Sequence, residues 1–177
     1  IVRISTQRER SAPLRTEIQG LRDISRYCDT NKIREESQAT FEEKGSWKRG
    51  LGPEDNNELE FRVSLQREKR LPSSSRQVKA AMANWNQSEK YFRCMNRTSL
   101  ESKQFPVRVD ISVVQSAKGT SITESGLLSR PTSYEVEIEV DSTKVGTGTK
   151  YSTPAELITS LRRVITYVLQ GLQGTNY

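Results

Sequence analysis

Histidine is absent from this chain of 177 residues, and cysteine occurs only twice. The absence of histidine excludes Ser-His-Asp and Cys-His nucleophilic catalysis, histidine general bases and histidine-ligated zinc. A metal site would have to use oxygen ligands, which favours Mg²⁺, Mn²⁺ or Ca²⁺. Cys28 and Cys94 form neither a C-x-x-C motif nor a disulfide framework, so we expect a reducing, intracellular setting.

Long apolar runs and glycine-rich phosphate loops are also missing. No segment approaches the length of a transmembrane helix and no secretory signal is visible, so we expect neither membrane insertion nor secretion. The lack of a Walker-type loop excludes a P-loop enzyme. The length suits a single domain, which we predict to span residues 1–177. The net charge of +6 favours an anionic partner such as nucleic acid, a nucleotide or another phosphate compound.

Alternating apolar and polar residues predict a mainly antiparallel β protein. Apolar residues at helical spacing (Leu14, Ile18, Leu21 and Ile24) predict a helix through about Tyr27. A second, short helix is predicted over residues 76–85, and a terminal helix begins at a Thr153 cap with Pro154 and Glu156 in its first turn. Strands are predicted at residues 1–5, 38–44, 57–67, 91–100, 107–114 and 134–140, and Gly45 to Asn57 is predicted as a loop.

The strand at residues 134–140 reads Y-E-V-E-I-E-V and places three carboxylates, Glu135, Glu137 and Glu139, on one face. Three other strands place arginines on their polar faces: Arg62, Arg93, Arg97 and Arg108. The opposite faces are predicted to point to the core, with Leu59, Phe61, Val63 and Leu65 in one strand and Val107, Val109, Ile111 and Val113 in another. This shared pattern is typical of a closed barrel or sharply curved sheet.

If the polar faces converge, they would line one site with carboxylates from one strand and arginines from the others. Such an arrangement suits a metal-bound polyphosphate. Carboxylates hold a hard cation, and arginine forks neutralise phosphate oxygens. Each residue also has a plainer interpretation. The arginines and glutamates could face solvent, Asp110 could pair with an arginine instead of positioning water, and the second E-x-E, Glu58 and Glu60, could be an exposed strand start.

The ordered series F-R-C-M-N-R-T-S-L, V-R-V-D-I-S-V-V-Q-S and Y-E-V-E-I-E-V resembles the RNA triphosphatase domain of mRNA capping enzymes of large DNA viruses, within the triphosphate tunnel metalloenzymes. The resemblance implies an α+β, mainly antiparallel fold: a closed eight-stranded tunnel with flanking helices that binds triphosphate and Mg²⁺ or Mn²⁺. It implies an RNA 5′-triphosphatase that removes the γ-phosphate as the first step of capping. Its substrate would be triphosphate-ended RNA or a nucleoside triphosphate, its partner a guanylyltransferase domain or subunit, and its location the host cytoplasm (viral factory) or the virion.

The resemblance also assigns roles to individual residues. Met95 replaces the central lysine of the family's R-x-K-x-R strand. The family's first E-x-E strand corresponds either to N-E-L-E-F-R-V or, as we prefer, to sequence upstream of Ile1, so we expect the chain to be an N-terminally incomplete fragment of a larger capping enzyme. The implied metal ligands and catalytic carboxylates are Glu135, Glu137 and Glu139, with Asp110 as a further catalytic residue; the implied phosphate-binding residues are Arg62, Arg93, Arg97 and Arg108 and, more loosely, Lys44 and Arg3.

Three other interpretations stay open at this point. A hydrolase of the same fold could act on inorganic triphosphate, nucleoside triphosphates or thiamine triphosphate. A non-catalytic basic β-domain could bind nucleic acid, and the glutamate strand could be the exposed edge of an interaction domain. The enzyme interpretation predicts that the three glutamates point into an enclosed basic cavity.

Overall fold

The computed structural model describes residues 1–6, 13–34, 37, 39–46, 54–56 and 61–173. They divide into two compact units: the first combines Ile1–Met95 with Val114–Thr132, and the second combines Asn96–Val113 with Ser133–Tyr177. Within the described part, no helix is long and apolar enough to cross a membrane.

Nine strands and four α-helices form the described structure. The helices are α1 (Leu21–Thr30), α2 (Arg76–Ala83), α3 (Ile122–Ser125) and α4 (Pro154–Gln173), with a 3₁₀ turn at Leu127–Ser129. The strands are β1 (Val2–Thr6), β2 (Leu14–Ile18), β3 (Ala39–Ser46), β4 (Glu54–Asn56), β5 (Phe61–Val63), β6 (Gln66–Leu71), β7 (Lys90–Glu101), β8 (Val107–Gly119) and β9 (Ser133–Val140).

Seven of the strands pair in one sheet in the order β6-β3-β2-β1-β7-β8-β9, while β4 and β5 form a separate two-stranded sheet. Four pairings, β1 with β2, β1 with β7, β2 with β3, and β3 with β6, are antiparallel, as the sequence pattern predicts. The core of the first unit lies on one face of these strands. It includes Val2, Ile4, Ile18, Phe92 and Tyr27.

The helix predicted from residue 14 is wrong over its first half, because Leu14–Ile18 is the strand β2. Leu14, Thr16 and Ile18 are buried while the two residues between them are only half-buried, which is the period of a strand. A spacing of four between Leu14 and Ile18 fits both a helix and a strand. The second half of the predicted helix is confirmed, because α1 begins at Leu21. Gly20, at φ +85°, separates the strand from this helix.

The strand predicted over residues 57–67 is interrupted. Residues 57–60, including Leu59 and the E-x-E glutamates Glu58 and Glu60, lie outside the described residues, and the strands on either side of Ser64 and Leu65 belong to different sheets. Val63 and Leu65 are exposed, so their predicted place in the core is wrong. The predicted loop is also wrong at both ends, because Gly45 belongs to β3 and Glu54–Asn56 forms β4.

The two other predicted helices are confirmed. Ser75 caps α2 by accepting a hydrogen bond from the Val78 amide at 3.3 Å. Thr153 and Glu156 cap α4 reciprocally: the Thr153 amide donates to the Glu156 carboxylate at 2.9 Å, and the Glu156 amide donates to the Thr153 hydroxyl at 3.3 Å.

Lys90 at the start of β7 is a buried cation that sequence reasoning missed. Its ammonium donates to the backbone carbonyls of Trp85 and, at 3.0 Å, of Ser88, and it lies 5.2 Å from the Trp85 ring centroid. Burial lowers the pKa of this ammonium, while the charge of Glu124 raises it. Lys90 thereby ties the turn that follows α2 to the start of β7.

Gly119 at the end of β8 allows a close approach to α3. A Cβ at position 119 would lie 2.9 Å from the Ser125 Cβ and 3.1 Å from its Cα, and Ser125 is buried. We expect Gly119→Ala to lower the free energy of unfolding by about 1–3 kcal/mol, because the backbone of α3 would have to shift. Urea denaturation measures the effect. Gly45→Ala is the control, since its Cβ would meet nothing within 4 Å, and an equal loss in both variants would contradict the prediction.

Candidate functional site

A cluster of charged side chains lies on one face of three neighbouring strands of the second unit. Arg97 comes from β7, Arg108 and Asp110 from β8, and Glu137 and Glu139 from β9. Residues of the same parity share a face of a strand, so the sequence pattern R-x-D and E-x-E brings these groups together once the strands pair. We call this set the charged cluster.

Asp110 is the centre of the charged cluster. Its Oδ2 accepts a hydrogen bond from Arg97 Nη1 at 2.9 Å, and its Oδ1 lies 3.2 Å from Arg108 Nε. The second contact is an ion pair. Ser112, two residues further along β8, accepts from Arg97 Nε at 3.2 Å. Of the two interpretations that the sequence left open for Asp110, the structure supports an arginine partner.

The two arginines also reach the glutamate strand. Arg97 Nη2 donates to Glu137 Oε2 at 3.2 Å, and Arg108 Nη2 donates to Glu139 Oε2. The side chains of Glu137 and Glu139 are 50% and 47% exposed, so these two glutamates face basic residues without being enclosed. Glu135 is exposed on the same strand.

The buried face of β8 is the polar one, which corrects the prediction that Val107, Val109, Ile111 and Val113 all face the core. Asp110 and Ser112 are 1% and 2% exposed, whereas Ile111 and Val113 are 45% and 38% exposed. Only Val107 at the start of this apolar series is fully buried. Buried polar groups are tolerated here because they bond to one another: Asp110 and Ser112 both meet Arg97.

The charges of the cluster reinforce each other. Burial alone would lower the pKa of Arg108, but the negative charges of Asp110 and Glu139 outweigh it and raise the pKa of this guanidinium. The two carboxylates therefore favour the protonated form of Arg108.

The remaining predicted phosphate-binding residues lie in the first unit. Arg3 on β1 pairs with Glu17 on β2 at 3.1 Å, and its Cα is directly opposite that of Arg93 on β7. Lys44 on β3 lies 3.5 Å from Glu68 on β6. Arg62 is exposed on the two-stranded sheet, and Met95 is buried.

Sequence reasoning missed the partners of these residues. Arg15 and Glu17 were placed on a helix, yet they lie on the polar face of β2, where Arg15 bonds to Glu68 at 2.9 Å and lies 3.8 Å from Glu42. The alternation in L-R-T-E-I is the signal that could have found them. The first unit thus has its own polar face, in which each of these ion pairs joins a cation to a carboxylate.

The donor set of β9 fits a hard divalent cation by its chemistry, since three carboxylates occur at alternate positions of one strand. Glu137 and Glu139 are each paired with an arginine. Over the described ranges, no group of three or more acidic or cysteine side chains is arranged so that it could hold a metal ion. The described residues therefore offer the right ligand type and at most part of a ligand set.

Solved structures with a similar fold include two of mimivirus proteins. The RNA triphosphatase domain of a trifunctional mimivirus mRNA capping enzyme matches with a TM-score of 0.58 and 18% sequence identity over 96% of this chain and 71% of that chain. A triclinic crystal structure of the mimivirus capping enzyme triphosphatase matches with a TM-score of 0.58 and 16% identity over 96% of this chain and 73% of that chain. No protein-family model and no curated protein sequence matches the chain.

These matches confirm the fold that the sequence resemblance implied. The chain has the triphosphate tunnel fold, mainly antiparallel with helices, and seven strands of its main sheet lie within the described residues. Among the residues that the structure describes, this sheet has no eighth strand.

Proposed function

We propose that this chain is a metal-dependent RNA 5′-triphosphatase that removes the γ-phosphate of nascent mRNA as the first step of capping. The charged cluster is the observation that carries the proposal: two arginines are fixed by a buried aspartate beside exposed carboxylates, on a fold that resembles mimivirus capping enzyme RNA triphosphatase domains. Arginine forks recognise phosphate oxygens, and carboxylates are ligands for Mg²⁺ or Mn²⁺.

Arg97 is the residue best placed to bind a phosphoryl group. Its Nε and Nη1 are held by Ser112 and Asp110, and its Nη2 points to a half-exposed glutamate. Because Asp110 and Ser112 are buried and hold two of its nitrogens, the guanidinium can exchange Glu137 for a phosphate oxygen at Nη2 without changing its orientation. Arg108 can exchange Glu139 in the same way, and fixed donors of this kind stabilise charge that develops in the transition state.

Glu135, Glu137 and Glu139 would hold the divalent cation, with further ligands from outside the described residues, where Glu58 and Glu60 lie. Held there, it would supply positive charge that offsets the negative charge of the triphosphate. A half-exposed glutamate can accept a hydrogen bond from the attacking water, while Asp110 keeps the arginines in place. By the same proposal, the partner is a guanylyltransferase domain or subunit and the location is the host cytoplasm or the virion.

Phosphate release from triphosphate-ended RNA tests this function. We expect the full-length protein to release one phosphate per RNA with Mg²⁺ or Mn²⁺, to leave a diphosphate end, and to stop when a chelator removes the metal. Parallel assays with ATP and inorganic triphosphate decide between RNA and free triphosphates as substrates. Absence of release from every substrate, or equal release with the chelator present, would contradict the proposal.

A non-catalytic nucleic-acid-binding domain is the second candidate, favoured by the net charge of +6 and by arginines on several strands. The variant Arg93→Ala helps to distinguish the RNA triphosphatase from the binding domain. Weaker RNA binding in a protein that never releases phosphate would support the binding domain, whereas release by the unaltered protein excludes it.

A further inference from the structure

Helix α4 presents an exposed face that the charged cluster does not use. Thr159, Arg162, Arg163, Thr166 and Tyr167 line a shallow cavity of about 300 Å³. They are spaced i, i+3, i+4, i+7 and i+8, so they form one stripe on the helix. The opposite stripe holds the apolar residues of α4, such as the buried Val164. We call the exposed stripe the α4 face.

The α4 face is positively charged. Glu156 is the only carboxylate of α4, and it is bound to Thr153 in the helix cap, one turn before the cavity begins. Arg162 and Arg163 are exposed, and neither forms an ion pair with any residue that the structure describes. Two adjacent guanidinium groups without a counter-charge favour an anionic ligand, and their planar forks fit phosphate oxygens.

The two threonines restrict the ligand further. The Thr159 hydroxyl donates to the Ala155 carbonyl at 2.8 Å, and the Thr166 hydroxyl donates to the Arg162 carbonyl at 2.9 Å. Because each hydroxyl proton is already used, these oxygens can only accept hydrogen bonds from a ligand. A ribose 2′-hydroxyl can donate such a bond, whereas deoxyribose has no donor at that position.

Tyr167 supplies an aromatic surface next to the arginines. Its ring lies edge-on to Phe105, with centroids 6.3 Å apart and an interplanar angle of 74°, and the residue is 61% exposed. The contact with Phe105 fixes the ring and leaves a large part of it open to solvent. Aromatic rings beside a basic groove are the usual platform on which single-stranded bases stack.

We propose that the α4 face binds single-stranded RNA, with Arg162 and Arg163 on backbone phosphates, the threonines on ribose hydroxyls and Tyr167 under a base. The ligand class is a single-stranded ribose polyanion, and the residues differ from those of the charged cluster. The proposal does not depend on triphosphatase activity.

Fluorescence anisotropy with a 5′-hydroxyl RNA of about 12 nucleotides tests the site, because this probe lacks the triphosphate that the charged cluster would bind. We expect Arg162→Glu/Arg163→Glu to weaken binding at least about 10-fold, and to reduce the slope of log K against log salt by about 1.4, or about 0.7 for each lost phosphate contact. The control is Arg22→Glu/Arg26→Glu, two exposed arginines of α1 with the same change in charge. Equal weakening by both variants would overturn the proposal, because the effect would then come from net charge alone.

Substitution of Tyr167 and replacement of the RNA by DNA give two independent tests of the site. We expect Tyr167→Leu to weaken RNA binding roughly 10-fold through lost stacking and Tyr167→Phe to retain binding. A DNA strand of the same sequence is expected to bind more weakly than the RNA. Unchanged binding in Tyr167→Leu would overturn the stacking site, and equal affinity for DNA would overturn the assignment to RNA.

Discussion

Glu137→Ala is expected to reduce γ-phosphate release roughly 100- to 1,000-fold, a loss of several kcal/mol of transition-state stabilisation. The side chain lies beside Arg97, the guanidinium best placed for phosphate, and is one of the three proposed metal ligands. Its removal takes away a cation ligand while Arg97 keeps its contacts with Asp110 and Ser112. The measurement is the rate of release from triphosphate-ended RNA as a function of Mg²⁺ or Mn²⁺ concentration.

Two further variants show what the Glu137 carboxylate does. Glu137→Gln keeps a hydrogen-bond acceptor for Arg97 but loses the negative charge, so we expect a loss close to that of alanine and a higher metal concentration for half-maximal rate. Glu89→Ala, an exposed glutamate of the first unit with the same change in net charge, should leave the rate unchanged. Release that survives Glu137→Ala would exclude the proposed role of the charged cluster.

Asp110→Ala is expected to lower the free energy of unfolding by about 3 kcal/mol and to abolish phosphate binding at the charged cluster. The substitution leaves Arg97, whose side chain is only 12% exposed, without its main counter-charge. The estimate is at the lower end for a buried ion pair because Arg108, whose side chain is 40% exposed, can turn to solvent. Urea denaturation measures the stability, and titration with inorganic triphosphate measures the binding.

Ser112→Ala is the matched comparison for Asp110→Ala. Ser112 is about as buried on the same strand, but it carries no charge and accepts only one hydrogen bond from Arg97, so we expect a smaller loss of about 1.5 kcal/mol. Equal losses in the two variants would mean that the buried charge of Asp110 has no special effect. A stable Asp110→Ala protein that still binds triphosphate normally would exclude Asp110 as the residue that positions the arginines.

The sequence predicted which residues share a face of the cluster strands, but not which face is buried. Alternation has a period of two, so Arg108, Asp110 and Ser112 could be assigned to one side of β8 with certainty. Assigning the apolar side to the core relied on the general rule that hydrophobic residues are inside. That rule failed for Ile111 because the polar side chains of the other face bond to one another and can be buried.

Local ambiguity explains the errors in the first third of the chain. The residues from Leu14 to Ile18 fit two periods at once, and the choice depended on their pairing with β1 and β3, which a single sequence does not contain. The α4 helix was predicted correctly because its cap, proline and apolar stripe all agree. The ion pairs of Arg3 and Lys44 depend on register between strands that are distant in sequence.

The carboxylate of Asp110 pairs with both Arg97 and Arg108. The effect of a substitution at one of these three positions therefore depends on the residues at the other two. Replacement of Arg97 leaves Asp110 to Arg108 alone, so the effect of then replacing Arg108 is larger than it would be in the unaltered protein. A double-mutant cycle over the two arginines should therefore give a coupling free energy of about 1 kcal/mol or more, although the two side chains come from different strands. Natural variation at these positions is expected to be epistatic, with the arginines and Asp110 retained or lost as a set.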